Sequence, residues 1–349
     1  MLRRAAVLST LALALGALAP AASAQAPAPI SVTPELIEAA KKEGKAIWYT
    51  SVELETAEKV GKAFEAKYPG ITLQVERSGA ERNYQRIGQE YASGIHNVDV
   101  VNSSDAAHFI IWKRQGLLAP FVPEDVAKYF PPEHKDPDGM YATWRMTLSP
   151  MGYNTKLVKA EDAPKSFADL LEPKWAGKIV KAHPGYSGTI LTSTFETARE
   201  LGWGFFEKLS KQRVMQVQSA TDPPRKLAAG ERAVMADGSE YVILTMKKAG
   251  SPVEPIYPSE GTPTIVGPSG IMKDAPHPNA ARLFQCYLFS QEGQQLIVDV
   301  GALRSAHPLV KEPTDRPPLK ELKLMKDDPA SVESQVDEIK KKYTSYFKT

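Results

Sequence analysis

The residues best placed for chemistry fall in five short polar runs, each lying between an apolar strand-like run and a helix-like spacing. They are Thr50-Ser51-Val52-Glu53, Ser78-Gly79-Ala80-Glu81-Arg82, Asn102-Ser103-Ser104-Asp105, Gly185-Tyr186-Ser187-Gly188-Thr189 and Asp237-Gly238-Ser239-Glu240-Tyr241. Any one of them is an ordinary helix start, because Ser, Asp and Gly are preferred caps. Together they predict a gap lined with hydroxyls and free helix amides, which favours a bound anion. The expected ligand-facing residues are Ser51, Glu53, Ser78, Gly79, Arg82, Ser104, Asp105, Ser187, Gly188, Thr189, Glu240 and Tyr241. Arg82 is the guanidinium expected to face the gap, suited to a carboxylate or phosphate.

Signatures of catalysis are weak by comparison. Gly185-Tyr-Ser187-Gly188 and Gly267-Pro-Ser269-Gly270 lack the five-residue spacing of a nucleophile elbow and read as turns. No two of the six histidines stand four apart, so a zincin-type pair is missing. No P-loop and no G-x-G-x-x-G follows a strand. Asp and Glu are plentiful enough for a glycosidase pair. A secreted hydrolase on a two-lobed scaffold is therefore the rival from another class. The reading adopted is a binding protein, not an enzyme, with no cofactor.

The elements that must hold these runs alternate. Strands are expected at 46–50, 71–75 and 98–101, with helices between them and at 108–115. Residues 143–153 read as a connection into a second unit. That unit has strands at 178–182, 214–218 and 233–236 and helices at 189–201, 224–229 and 240–249. Residues 264–266 should cross back, followed by helices at 279–289 and 292–300 with Ser290 as cap. A last helix places Val332, Val336, Ile339, Tyr343 and Phe347 on one side, leaving Lys340–Lys342 solvated. Such alternation implies α/β lobes with mainly parallel sheets flanked by helices. The first lobe is expected to span 34–146 and 264–306, the second 147–263 and 307–349. Two crossings predict a hinge and a ligand cleft between the lobes.

Residues 1–24 read as a secretory signal peptide. Arg3 and Arg4 precede an apolar run to Ala19, and Ala22-Ser23-Ala24 offers the cut. Residues 25–33, rich in Ala and Pro, read as a flexible mature N-terminus. Lys+Arg 43 against Asp+Glu 41 falls to balance once Arg3 and Arg4 leave, which argues against nucleic acid as a partner. The single cysteine, Cys286, sits among apolar residues and reads as a buried, inert thiol.

The ordered set Tyr49-Thr50-Ser51, Phe64 to Ile71, Val98-Asp-Val-Val101, Gly116 to Pro120, Met151 to Asn154, Pro173 to Ile179 and Ala281 to Gln294 resembles a known family. It is that of periplasmic solute-binding proteins of ABC importers, in the ferric-iron-binding-like branch with the two-lobed type II fold. The resemblance implies a periplasmic, monomeric receptor that passes a small solute to a membrane permease. Iron-binding relatives use two adjacent tyrosines, which Glu240-Tyr241 matches only in the second. If the cargo is ferric iron, the resemblance implies Glu53, Glu240 and Tyr241 as its ligands. Other relatives carry phosphate esters or similar anions, and the Ser- and Gly-rich helix starts fit that cargo better. The carboxylates of Glu53 and Glu240 would also welcome an amine, so an anion or zwitterion is preferred to iron.

Overall fold

The computed structural model describes residues 26–349, so the expected signal peptide and its cut lie outside the described residues. Residues 26–33, expected to be flexible, are instead fastened to the body. Ile30 exchanges backbone hydrogen bonds with Val122 (2.9 Å) and Glu124 (3.0 Å). Thr33 then caps α1 (Pro34–Glu43) through Leu36 N, and Gly44 ends that helix at φ 73°, a left-handed value that Gly adopts at low cost.

The first lobe continues as β1 (Lys45–Thr50), α2 (Leu54–Lys67), β2 (Thr72–Arg77), α3 (Ala80–Ala92), β3 (Val100–Asn102) and α4 (Ala106–Arg114). β4 (Leu118–Ala119), α5 (Glu124–Tyr129) and β5 (Ala142–Leu148) complete its first pass. β1 pairs parallel with both β2 and β3, as the alternation predicted.

The second lobe follows as β6 (Met151–Asn154), β7 (Ile179–Ala182), α6 (Gly188–Leu201), α7 (Trp203–Ser210) and β8 (Met215–Val217). It ends with α8 (Asp222–Ala228), β9 (Val234–Met235), α9 (Glu240–Lys248) and β10 (Val253–Ile256). Its sheet has the order β10-β6-β9-β7-β8. The parallel centre is β8-β7-β9, and β6 joins it antiparallel.

The chain returns through β11 (Thr262–Met272), then α10 (Pro278–Phe289), α11 (Gln291–Gly301), β12 (Leu324–Met325) and α12 (Pro329–Phe347). β11 is far longer than the short crossing expected at 264–266. It runs antiparallel to β5 from Thr264 to Ser269 and antiparallel to β3 beyond that. The stretch read as a connection, 143–153, is in fact two strands, β5 and β6. They were missed because Thr143, Arg145, Thr147 and Ser149 break up the apolar pattern while still being buried. β5 and β11, side by side, are the crossing strands, at the place where the sequence predicts a hinge.

Each lobe has its own core. In the first, Trp48 packs edge-on against Trp144 (centroids 5.6 Å apart) and Phe284 (5.2 Å). In the second, Ile179, Phe206, Leu209, Val234 and Tyr343 are buried together. Each such large side chain contributes about 1.5–3 kcal/mol on burial. Ser290 caps α11 through Gly293 N at 3.1 Å, as expected. Cys286 is 7% exposed, and burial pushes its thiol up to about 12, so it is inert at neutral pH.

α12 touches both lobes. Val332 and Ile339 share a cluster with Ala107 of α4 and with Leu191 and Phe195 of α6. Tyr343 sits inside the second-lobe core. Glu333 pairs with Arg114 at 2.7 Å, and Lys340 with Glu81 at 2.6 Å. Lys340 is thus not part of a solvated face: it reaches across to the first lobe.

Candidate functional site

The ends of the strands bring the polar runs together between the lobes. From the first lobe, Ser51 follows β1, Arg77 ends β2, Gly79 and Ala80 open α3, and Ser104 precedes α4. From the second, Ser187 and Thr189 open α6, Ser219 to Thr221 follow β8, and Ser239 and Tyr241 open α9. Arg145 of the crossing strand β5 enters from behind. Ligands of open α/β sheets sit beyond the carboxyl ends of strands, and this gap lies there. It encloses about 20 Å³, so the lobes are shut on each other.

The lobes meet through specific contacts. A Cβ on Gly188 would lie 2.5 Å from the Asp105 Cβ, and one on Gly79 would lie 2.9 Å from the Tyr186 carbonyl oxygen. Only glycine permits either approach. The Glu53 amide donates to the Tyr241 hydroxyl at 3.1 Å, and Arg225 holds the Glu53 carboxylate at 2.7 Å. Arg77 reaches Ser219 Oγ at 3.4 Å. Arg82 donates to Gln218.

The charge balance of the cavity is one-sided. Arg145 is 2% exposed, donates to Ser51 Oγ at 3.1 Å, and its Nε has no partner. Burial holds its guanidinium below the ordinary arginine value. Among the described residues no carboxylate pairs with Arg145 or Arg77, and none lines the cavity. Removing an ion from water costs several kcal/mol unless an opposite charge meets it. The helix starts of α3, α6 and α9 add amide dipoles of the same positive sign. The arrangement is one that an anion completes.

Six of the expected residues line this cavity: Ser51, Gly79, Ser104, Ser187, Thr189 and Tyr241. Gly188 forms the seam beside it. The others lie elsewhere. Ser78 is fixed by its amide to the Thr50 carbonyl at 3.1 Å, and its side chain is not part of the wall. Arg82 is exposed on α3. Glu53 is held at the lobe edge by Arg225, where it and Tyr241 border a wider cavity of about 720 Å³. The Asp105 carboxylate caps α4 through Ala107 N at 2.9 Å and turns toward His108.

Glu240 is the largest departure. Its carboxylate takes two hydrogen bonds from Arg304, at 2.7 and 2.8 Å, and one from the Tyr257 hydroxyl at 2.7 Å. Both its oxygens are thus engaged by Arg304 and Tyr257, which do not line the cavity. Glu53 and Glu240 are each engaged by an arginine, Arg225 and Arg304, and neither lines the cavity, which offers cations where ferric iron needs hard anionic oxygens.

Sequence reasoning missed Arg77, Arg145, Ser219, Thr221 and Ser239. Arg77 directly precedes the Ser78-Gly79 run, and a strand-end cation there is a usable signal. Arg145 stands in Ala142-Thr-Trp-Arg-Met146, an apolar run with one charge and no nearby acid.

Two sheet-and-helix lobes joined by adjacent strands, with a polar cavity at facing helix starts, are the frame of a solute-binding protein. Residues 97–327 match the family described as bacterial extracellular solute-binding protein, and the chain belongs to it. A probable ABC transporter periplasmic-binding protein, y4fP, of Sinorhizobium fredii is 24% identical over 234 residues, covering 64% of this chain and 63% of that one. The periplasmic binding protein AfuA from Actinobacillus pleuropneumoniae, solved with exogenous fructose-6-phosphate bound, is similar in fold. Its TM-score is 0.80 at 24% identity, covering 87% of this chain and 99% of AfuA. Iron-bound HitA from Pseudomonas aeruginosa has a TM-score of 0.73 at 23% identity, covering 86% and 99%. The fold is thus the ferric-binding-like, type II periplasmic fold. No helix among the described residues is long and apolar enough to cross a membrane.

Proposed function

We propose that this protein is the monomeric periplasmic receptor of an ABC importer, and that its cargo is a small organic anion, with phosphate esters preferred. One observation carries the choice of cargo: the buried Arg145 guanidinium faces a cavity with no carboxylate. Arg77 on the same wall and three helix starts make the site suited to more than one negative charge. The fructose-6-phosphate in AfuA supports the same class. The solute lies between Ser51, Arg77, Gly79 and Ser104 on one side and Ser187, Thr189, Ser219 and Tyr241 on the other. Contacts that exist only when both walls touch it stabilise the closed state.

Calorimetric titration with inorganic phosphate and with fructose 6-phosphate tests this. At least one should bind the wild type, and Arg145→Gln should weaken that binding by about 10–100-fold, the worth of one charge-assisted hydrogen bond. Equal binding by the variant sinks the assignment. Iron-bound HitA keeps a second cargo in view. A tyrosinate-to-iron absorption band on adding ferric citrate would establish iron in place of the anion. A receptor also returns its solute unchanged, so turnover of the bound ester would move the protein to the hydrolase class.

A further inference from the structure

We propose that Glu81, Asp105 and His108 bind one divalent transition-metal ion of the zinc class, at a site separate from the anion cavity. These residues offer three ligand atoms within 4.8 Å of one another. Glu81 lies in the first turn of α3, Asp105 caps α4, and His108 stands one turn further along α4. All three are buried, at 4%, 1% and 3% exposure. His108 Nε2 is 2.9 Å from Glu81 Oε1 and 3.6 Å from Asp105 Oδ2. Metal–ligand bonds near 2.0–2.2 Å in a tetrahedron place ligand atoms about 3.4 Å apart, and these two distances bracket that value.

A proton on His108 is the simpler occupant, and it accounts for only part of the geometry. It satisfies Glu81 Oε1. It leaves Asp105 Oδ2 beyond hydrogen-bond range, and that oxygen is buried with no partner at all. The other Asp105 oxygen is already used by Ala107 N at 2.9 Å. A cation between the three groups satisfies the orphan oxygen together with the other two.

The surroundings are those of a supported metal site. Ser103 Oγ lies 3.0 Å from His108 Nδ1 and fixes the ring with Nε2 turned inward. Lys340 Nζ holds Glu81 Oε2 at 2.6 Å, leaving Oε1 for the ion. Tyr84 stacks on the imidazole at 4.4 Å. Such outer partners orient ligands and are a regular part of metal sites. An ion there meets the carboxylates of Glu81 and Asp105, with Lys340 against the far oxygen of Glu81. Three protein ligands leave one position open. Gly188 of the second lobe packs over Asp105, so separating the lobes uncovers the entry side.

The test uses the mature protein stripped with a chelator, then zinc alone, in competition with a chromophoric chelator. One equivalent should bind with a dissociation constant below the micromolar range. His108→Gln should lower the affinity at least 100-fold while leaving the response to the anion probe unchanged, which also shows that the variant is folded. Cobalt on the wild type should give the visible bands of a low-symmetry four-coordinate site, a readout that needs no variant. Less than a tenth of an equivalent of zinc, or full retention in His108→Gln, overturns the proposal. Neither result bears on the anion cavity, whose own titrations stand apart.

Discussion

Glu240 and Arg304 form a two-pronged ion pair, 2.7 and 2.8 Å long, between side chains that are 1% and 0% exposed. The pair ties the first turn of α9 in one lobe to the segment after α11 in the other. Glu240→Ala strands a buried guanidinium, a change that costs about 3–5 kcal/mol. A thermal melt should show the midpoint lowered by several degrees, and an unchanged midpoint would show that the pair is dispensable. A ligand role for Glu240 would instead leave the ligand-free melt near that of the wild type.

Gly188→Ala should hold the lobes apart, because its methyl would fall 2.5 Å from the Asp105 Cβ. Overpacking of this kind costs about 1–3 kcal/mol, here charged to the closed form, so binding should weaken about 5–150-fold. Solution scattering should show a wider particle in the variant with ligand present. Tight binding with a wild-type profile would mean that the seam relaxes freely.

Glu53→Gln should have a small effect. Its bridge to Arg225 is half in solvent, with side chains 25% and 45% exposed, and such pairs contribute about 0–1 kcal/mol. Binding of the anion probe should fall no more than about five-fold. A loss of 100-fold would place Glu53 on the cargo and reopen the metal-ion cargo.

Stability should decline as pH rises from about 4 to 7. Asp327 accepts from Val266 N at 3.0 Å and Glu196 from Thr264 N at 2.9 Å, on alternate amides of the crossing strand β11. Burial pushes Asp327 up to about 7 from 3.8, and Glu196 up to about 10 from 4.5, with each raised further by nearby carboxylates. A raised carboxyl makes the native chain bind more protons than the unfolded chain, so raising the pH through this window removes stability. Both groups contribute up to pH 7, each on the order of 2–4 kcal/mol, because the unfolded chain releases its protons while the native chain keeps them, and Glu196 alone continues the decline above that. Urea melts at pH 5 and pH 8 should differ for the wild type, differ less for Asp327→Asn, and converge only when Glu196→Gln is added. An identical slope in the double variant would assign the effect elsewhere.

What was legible in the chain was the periodic part. Strand-to-helix junctions show in sequence because caps and apolar spacing are local properties, and so Ser51, Gly79, Ser104, Ser187 and Tyr241 were placed at the cleft. The directions of individual side chains were not legible. Arg82 lies exposed at the seam, bonded to Gln218 of the second lobe, whereas Arg77, at the end of β2, lines the cavity. Glu240 opens α9 as expected, yet its partner stands 64 residues later, and nothing local announces it. Arg145 was overlooked because the crossing strands carry buried polar residues that look like a loop. Asp105 and His108 are an ordinary helix start until α3 brings Glu81 alongside.

α12 ends with Tyr343 locked into one half while Glu333 and Lys340 hold the other. The molecule cannot gape without sliding or peeling that helix from α4. If the lobes part when solute leaves, a dye attached near residue 349 should report the shift of α12.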